Sequence, residues 1–313
     1  MTRIYLIILL FFSEYMQAQD VHYSQFDKTK SLINPALIAI QNEDYELQLQ
    51  RRSQWARVTK PFKTLSLSFN TKDFYKGLSL GGTILNDVAG DSHFSTNGLS
   101  LSLAKSVYSK ENLLAIGLQA GLYQRSVNYD DLIFLENELL QNIKFTFFDI
   151  GLGALNYKKL DRNSSLLLGA SLFHLNKPKQ SLTSNDKVVL NSKYILHSIY
   201  YTNISSKINI SPGFYFSSQN QDKEFILGSG LKYKLNDNFD LISGFYSRIK
   251  DAFFVTLGVK KANLEAVISY DINTSTLANA SNSMGGFEVS ISYGWSITHE
   301  EKQLKQKFCP KYL

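Results

Sequence analysis

From Tyr45 to Gly294 apolar residues alternate with polar or small ones at a period of two. Tyr45, Leu47 and Leu49 alternate with Glu46, Gln48 and Gln50; Leu65, Leu67 and Phe69 with Ser66, Ser68 and Asn70; Leu99, Leu101 and Leu103 with Ser100, Ser102 and Ala104. Leu114, Ile116, Leu118, Ala120 and Leu122 continue against Ala115, Gly117, Gln119, Gly121 and Tyr123. Ile208, Ile210, Pro212, Phe214 and Phe216 keep the theme, as do Val289, Ile291 and Tyr293 against Ser290, Ser292 and Gly294. Successive side chains of a strand point to opposite faces, so each segment has one apolar face and one small, polar face. No helical stripe of comparable length follows residue 40. The alternation predicts strands over 44–52, 62–71, 77–86, 96–106, 112–124, 144–157, 165–175, 193–202, 206–217, 223–234, 239–248, 251–260, 263–271 and 286–296. Lengths near ten residues suit tilted strands crossing a bilayer.

The links between these segments divide by parity. With the mature N-terminus in the periplasm, the outward links are 53–61, 87–95, 125–143, 176–192, 218–222, 249–250 and 272–285. The inward links, 72–76, 107–111, 158–164, 203–205, 235–238 and 261–262, are all short. Outer-membrane barrels have short periplasmic turns and long external loops. A soluble β-sandwich would also alternate, but its outer faces meet bulk water. Here the second face is mostly Ser, Gly, Ala, Asn and Gln, which suits a confined polar interior, leaving the apolar face for lipid. Closing the sheet removes the edges that lipid does not tolerate. The expected fold is an all-β, transmembrane, antiparallel β-barrel of about 14 strands, of outer-membrane type. Tyr123, Tyr157, Tyr233 and Tyr270, near strand ends, are candidates for interfacial girdles.

The chain's start agrees with export. Arg3 precedes an apolar run from Ile4 to Phe12, and Ser13 to Gln19 is more polar, as in a secretory signal peptide. The run is about half of what a spanning helix needs. Cleavage is expected after Ala18 or Gln19. The chain then divides into a signal peptide (1–18), an N-terminal periplasmic or lumenal segment (19–43), the barrel (44–296) and a C-terminal periplasmic tail (297–313).

Composition narrows the chemistry. Charged residues are 19% of the 313, against about 25% in soluble domains, while aromatics reach 13%, with 21 Phe and 18 Tyr. A lipid-facing surface accounts for both. The lone Cys309 excludes an internal disulfide and a cysteine-built zinc site. The net charge of +6 is spread along the chain with no basic block. Together with the absence of a phosphate loop, redox Cys pair or nucleic-acid module, this argues against a nucleic-acid partner or a cofactor. The histidines at 22, 93, 174, 197 and 299 show no close metal spacing.

Several local motifs resemble, in order, those of the PorP/SprF family of type IX secretion system membrane proteins. Asp20-Val21-His22-Tyr23-Ser24-Gln25-Phe26 is similar to its opening Ser-Gln-aromatic motif, Asn34-Pro35-Ala36 to its Asn-Pro-Ala step, and Arg52-Ser53-Gln54-Trp55 to its Arg-x-Gln-Trp. Asp149 to Ala154 resembles the mid-chain strand, and the run from Leu168 through His174 to Pro178 its Gly-x-Ser-x-x-His segment. Arg248 with Asp251-Ala252-Phe253 and Gly258-Val259-Lys260, then Ser269 to Leu277, Gly286 to Ser290, and Cys309-Pro310-Lys311-Tyr312 complete the series. Lys28-Thr29-Lys30 and Lys260-Lys261 depart from the pattern. The resemblance implies an outer-membrane protein of Bacteroidota that supports type IX export and, in gliding species, delivery or attachment of large adhesins. It implies as partners exported cargo or its C-terminal domain, periplasmic and outer-membrane components of the machinery, and the lipid bilayer.

The candidate partner-contact or structural residues are Gln25, Asn34, Pro35, Arg52, Trp55, His174, Arg248, Asp251, Asp271 and Cys309. Pro35 fixes φ and lacks an amide donor; with Asn34 it makes either a plain turn or a seat for the N-terminal segment, in the lumen or on a periplasmic partner. Trp55, beside Arg51, Arg52 and Arg57, is an interface anchor, an Arg stack or a partner contact. His174 ends a strand beside Asn176 and reads as a structural hydrogen-bonding group with no obvious nearby acid; Ser171 with His174 does not make a hydrolase. Arg248 and Asp251 flank a very short turn, where a salt bridge or lumenal network is expected. Asp271, Asn273 and Ser275 enter an Asn/Ser-rich loop, 271–285, which they order through backbone bonds; their spacing does not match an EF-hand calcium loop. Asp130, Asp131, Glu136 and Glu138 form an outward acidic patch, either solvated or facing cargo. Lys302, Lys305, Lys307 and Lys311 make the tail basic, for docking or as a frayed end. Cys309 either stays buried or pairs between chains. The expected function is a non-enzymatic docking barrel of the secretion or gliding apparatus. The alternative is a passive channel for small solutes, and a soluble secreted adhesin is a third possibility.

Overall fold

The structure, a computed structural model, describes residues 20–54, 60–90, 94–129, 141–180, 188–275 and 284–296. Among them fourteen strands form one closed antiparallel barrel. They are β1 (Tyr45–Gln54), β2 (Phe62–Tyr75), β3 (Leu78–Ala89), β4 (Phe94–Tyr108), β5 (Asn112–Val127), β6 (Ile143–Lys159) and β7 (Ser164–Phe173), followed by β8 (Lys193–Asn203), β9 (Ile208–Gln219), β10 (Asp222–Asn236), β11 (Phe239–Arg248), β12 (Ala252–Lys261), β13 (Leu264–Asn273) and β14 (Met284–Trp295). Each pairs with its sequence neighbours, and β1 closes on β14 from Tyr45↔Trp295 to Gln54↔Gly286. Every segment predicted from the alternation is a strand, several of them longer than the pattern alone indicates. β2 runs on to Tyr75, and β3 and β4 shorten the expected 87–95 link to 90–93.

The two rims differ as expected. One carries tight turns, such as Lys76-Gly77 between β2 and β3 and Ala262-Asn263 between β12 and β13. Gly77 has φ of 79°, and a Cβ there would lie 2.6 Å from the Ser106 carbonyl, so the turn requires glycine. The other rim carries the long links, 128–142 and 174–192 above all.

Burial is inverted relative to a soluble protein. Ile116 and Leu101 are 67% and 63% exposed, whereas Gln119 on the opposite face of β5 is 3% exposed. In water such an apolar surface would drive aggregation; in a bilayer it is the solvent-matched face. On the inner face, Gln48, Gln50, Ser66, Ser100 and Ser102 are buried.

Residues 20–43 account for the inner burial. Ser24 and Gln25 contact β13 and β14 in the long-loop half. Phe26 then packs on Tyr215 and Tyr246, with ring centroids 5.6 and 5.9 Å apart. At the short-turn rim Lys28 reaches Glu265, and Lys30 reaches Glu46. The chain crosses the lumen as a short helix, α1 (Lys30–Ile33), and a 3-10 turn (Pro35–Ala39) before entering β1. We call this segment the strap.

The strap changes the expected character of the interior. Ile33, Ala36, Ile38 and Ala39 form one apolar cluster with Leu155, Leu167, Ile195, Ile226 and Phe254 of the barrel wall. The inner face is thus not uniformly small and polar: where the strap's apolar residues replace water, the wall is apolar too. Two girdle candidates are corrected for the same reason. Tyr123 lies inside, stacked on Phe147 at 5.5 Å, and Tyr157 lies inside against the cluster, its hydroxyl bonded to Ser165. Tyr270 is exposed on the outer face. The expected signal peptide, 1–18, and the expected tail, 297–313, fall outside the described residues.

Candidate functional site

Three polar clusters hold the strap to the wall. The largest gathers β1, β11, β13 and β14 around Ser24. Their inward register brings Arg52, Arg248, Asp271 and Glu288 together, all 5% exposed or less. Arg52 donates to Asp271 at 2.8 Å and to Glu288 at 2.9 Å. Arg248 donates to Asp271 at 3.3 Å, to Glu224 at 2.8 Å and to Asp251 at 3.2 Å, and its guanidinium lies over Phe254. Ser24 completes the cluster. Its hydroxyl is 2.7 Å from both Asp271 carboxylate oxygens and accepts from Arg248 at 2.9 Å and from Arg52. The amides of Ser24 and Gln25 donate to Glu288 at 2.9 and 3.1 Å. The Gln25 side chain donates to Ser269 and accepts from Ser290. Buried charges are tolerated only when paired and hydrogen-bonded, and these carboxylates are shared between guanidinium groups and strap amides. His22, half-buried near Arg52 and Arg248, is held well below its ordinary pKa, by loss of solvation first and these two cations next.

The second cluster centres on His174, which follows β7 with a φ of 57°. Its Nδ1 lies 2.9 Å from Asp149 of β6, and its Nε2 bonds to Asp20 at the start of the strap. Burial opposes the protonated imidazole, but Asp20 and Asp149 outweigh it and raise the pKa to about 9. His174 is therefore an imidazolium at neutral pH, donating from both ring nitrogens. Asp20 itself sits well below the usual carboxylate range: burial works to raise it, and His174, Lys193 and Arg125 overcome that. The acid that the sequence does not reveal is present twice.

The third cluster is Asn34. Its Oδ1 accepts from the Ala36 amide at 2.9 Å and caps the 3-10 turn, with Pro35 as the first residue. Its Nδ2 lies 3.0 and 3.1 Å from the carbonyls of Ala154 and Ala170, and 3.2 Å from His197 Nε2. A Cβ at Gly153 would stand 1.9 Å from Asn34 Oδ1 and 2.8 Å from Pro35 Cδ. Glycine at 153 is what lets the strap come this close.

The candidates therefore sort cleanly. Gln25, Arg52, Arg248, Asp251 and Asp271 meet in one network, His174 lies in a second and Asn34-Pro35 in a third. Asp271 does not lead into a loop; it is on β13, 1% exposed, and its carboxylate is taken up by two arginines. Asp251 holds the adjoining segment instead, its carbonyl accepting from the amides of Thr274 and Ser275. Trp55, Cys309, the acidic patch at 130–138 and the basic tail lie outside the described residues. Asp20, Asp149, Glu224 and Glu288 are contributors that the sequence did not single out. The available signal is an acidic residue in the inward register of a strand, as at Glu288 between Phe287 and Val289. No group of metal-ligating side chains occurs among the described residues.

Solved structures share the architecture at low identity. The Ralstonia pickettii toluene transporter TbuX is 11% identical, with a TM-score of 0.53, covering 85% of this chain and 92% of its own. The CymD monoaromatic hydrocarbon channel is 10% identical, with a TM-score of 0.52, covering 87% and 93%. These show the barrel fold alone. No curated protein matches the sequence. The family described as type IX secretion system membrane protein PorP/SprF matches residues 15–293, which take in the strap and nearly all of the barrel, and the chain belongs to that family.

Proposed function

We propose that this outer-membrane barrel docks exported surface proteins at its long-loop rim and couples to periplasmic machinery at its short-turn rim. PorP/SprF proteins are membrane components of the Bacteroidota type IX secretion and gliding system, structural rather than catalytic. The observation that carries the docking reading is the strap. A lumen filled by the chain's own residues, tied to the wall by three polar clusters, suits a platform better than a passage. Many of the strap's polar groups are bonded to the wall, so we assign periplasmic coupling to the short turns and the basic tail. On the outer side the loops, including the acidic segment at 130–138, are the surfaces for cargo or its C-terminal domain. Deleting the gene should abolish surface display of a specific large exported protein and leave other secreted proteins in place. Unchanged display of every substrate overturns the proposal. A passive channel is the second reading, and a steady conductance from the intact barrel in a planar bilayer would favour it.

A further inference from the structure

In the long-loop half, beside the strap, the lumen encloses a cavity of about 90 Å³ walled by β3 to β8. A water needs about 10–15 Å³ on this scale, so the space holds a group of roughly half a dozen heavy atoms. Leu85, Phe94, Phe147 and Phe173 supply apolar and aromatic walls. Arg125 stands between two of them, its guanidinium 5.7 Å from the Phe94 ring and 5.4 Å from the Phe147 ring.

The polar groups at this cavity are unevenly satisfied. Arg125 donates from Nε to Thr96 and from Nη1 to Gln180, but Nη2 has only Asp20, 3.8 Å away and beyond hydrogen-bond reach. Gln180 Nε2 is buried without a partner. Lys193 lines the cavity and has no hydrogen-bond or ion-pair partner among the described residues. The acids are committed: Asp20 and Asp149 to His174, and Asp87 to Thr64. Three donors are left over, Gln180 Nε2 buried and Lys193 partly buried, and buried donors without acceptors are costly. The missing group is an acceptor of negative charge. The three neighbouring carboxylates disfavour a dianion, which leaves a single carboxylate.

We propose that this cavity binds a carboxylate carried on a small apolar body, presented from the long-loop side, the carboxylate meeting Arg125, Lys193 and Gln180 and the body lying against the phenylalanine walls. The same chemistry is offered by a free small acid and by the last residue of a polypeptide. The inference does not depend on the docking role.

The test is calorimetric titration of the purified full chain in detergent. The probes are isovalerate, its amide, and a short peptide ending in Val with a free or amidated carboxyl. The free acids should bind at least about tenfold tighter than the amides, the scale of one charge-assisted hydrogen bond. Binding of the small acid alone identifies a site for a free acid; equal or tighter binding of the free-ended peptide identifies a site for a chain end. Lys193→Met should reduce either affinity about tenfold, and Arg125→Gln should do likewise, with the folded barrel verified by its heat-modifiable mobility. Lys193→Met removes no bond seen in the barrel, so it stays informative where Arg125→Gln fails to fold. Acids and amides binding alike, no binding to the folded protein, or unchanged affinity in Lys193→Met overturns the proposal.

Discussion

Arg52 lies between Asp271 and Glu288 with 1% of its surface exposed. Removing it leaves Glu288 without a guanidinium in a site closed to water. Breaking a buried pair by deleting one partner costs about 3–5 kcal/mol. Arg52→Gln should therefore lower the temperature of the heat-modifiable gel shift markedly, and Glu288→Gln in the same chain should recover part of the loss. His174 sets a different dependence. Its folded pKa is about 9, raised above the ordinary value of 6.5. The stabilisation it gives is thus complete below about pH 6.5 and is lost as the pH rises through about 9. The difference in unfolding temperature between wild type and His174→Gln should be full at pH 6, shrink as the pH rises from 6.5 to about 9 and be largely gone above that; a constant difference would contradict the ion pair. The Arg248–Asp251 pair was legible because its members are only three positions apart. The acids at His174 were not, because Asp149 is 25 positions away and Asp20 is 154 away. Only the barrel's register and the strap's path bring them together.

The strands were legible as elements because a period of two reports which face meets which environment, and in a closed sheet every strand obeys it. Their ends were less legible, since pairing carries β2 and β4 beyond the region where lipid enforces alternation. The strap was the illegible element. Its helix is four residues long and has no periodicity to read, so Asn34-Pro35 read first as a plain turn and only second as a seat in the lumen or on a periplasmic partner. The seat depends on glycines in distant strands. Gly153→Ala drives a methyl group into Asn34 and Pro35, and overpacking of this kind costs about 1–3 kcal/mol. Asn34→Ala in the same chain should remove the clash and make the pair of substitutions less harmful than their sum, as a thermal double-mutant cycle can measure. Deleting residues 20–43 should turn a silent barrel into a conducting one in planar-bilayer recordings. Equal conductance with and without the strap would mean that it does not block the lumen.

For the molecule as a whole, the low charge and high aromatic content follow from an outer face that meets hydrocarbon. Leu118 is 48% exposed and faces outward on β5. Arginine there should weaken folding into vesicles by about 2–4 kcal/mol if the position is near the bilayer midplane, read from urea titrations against wild type.

Glu288 belongs to the final strand, yet it grips the amides of Ser24 and Gln25, 264 and 263 residues earlier. It also holds Arg52 on the strand that β14 must meet to close the ring. The joint between first and last strands is therefore made around cargo of the chain's own making. A ring that zipped shut with the strap left outside would bury Glu288 against Arg52 and Gln50 of β1, with two amide donors missing and an apolar inner wall exposed to water. The seam thus works as an inspection step: the vessel seals well only after it has been loaded, and a chain that closes early is left weakest at the place where it closed.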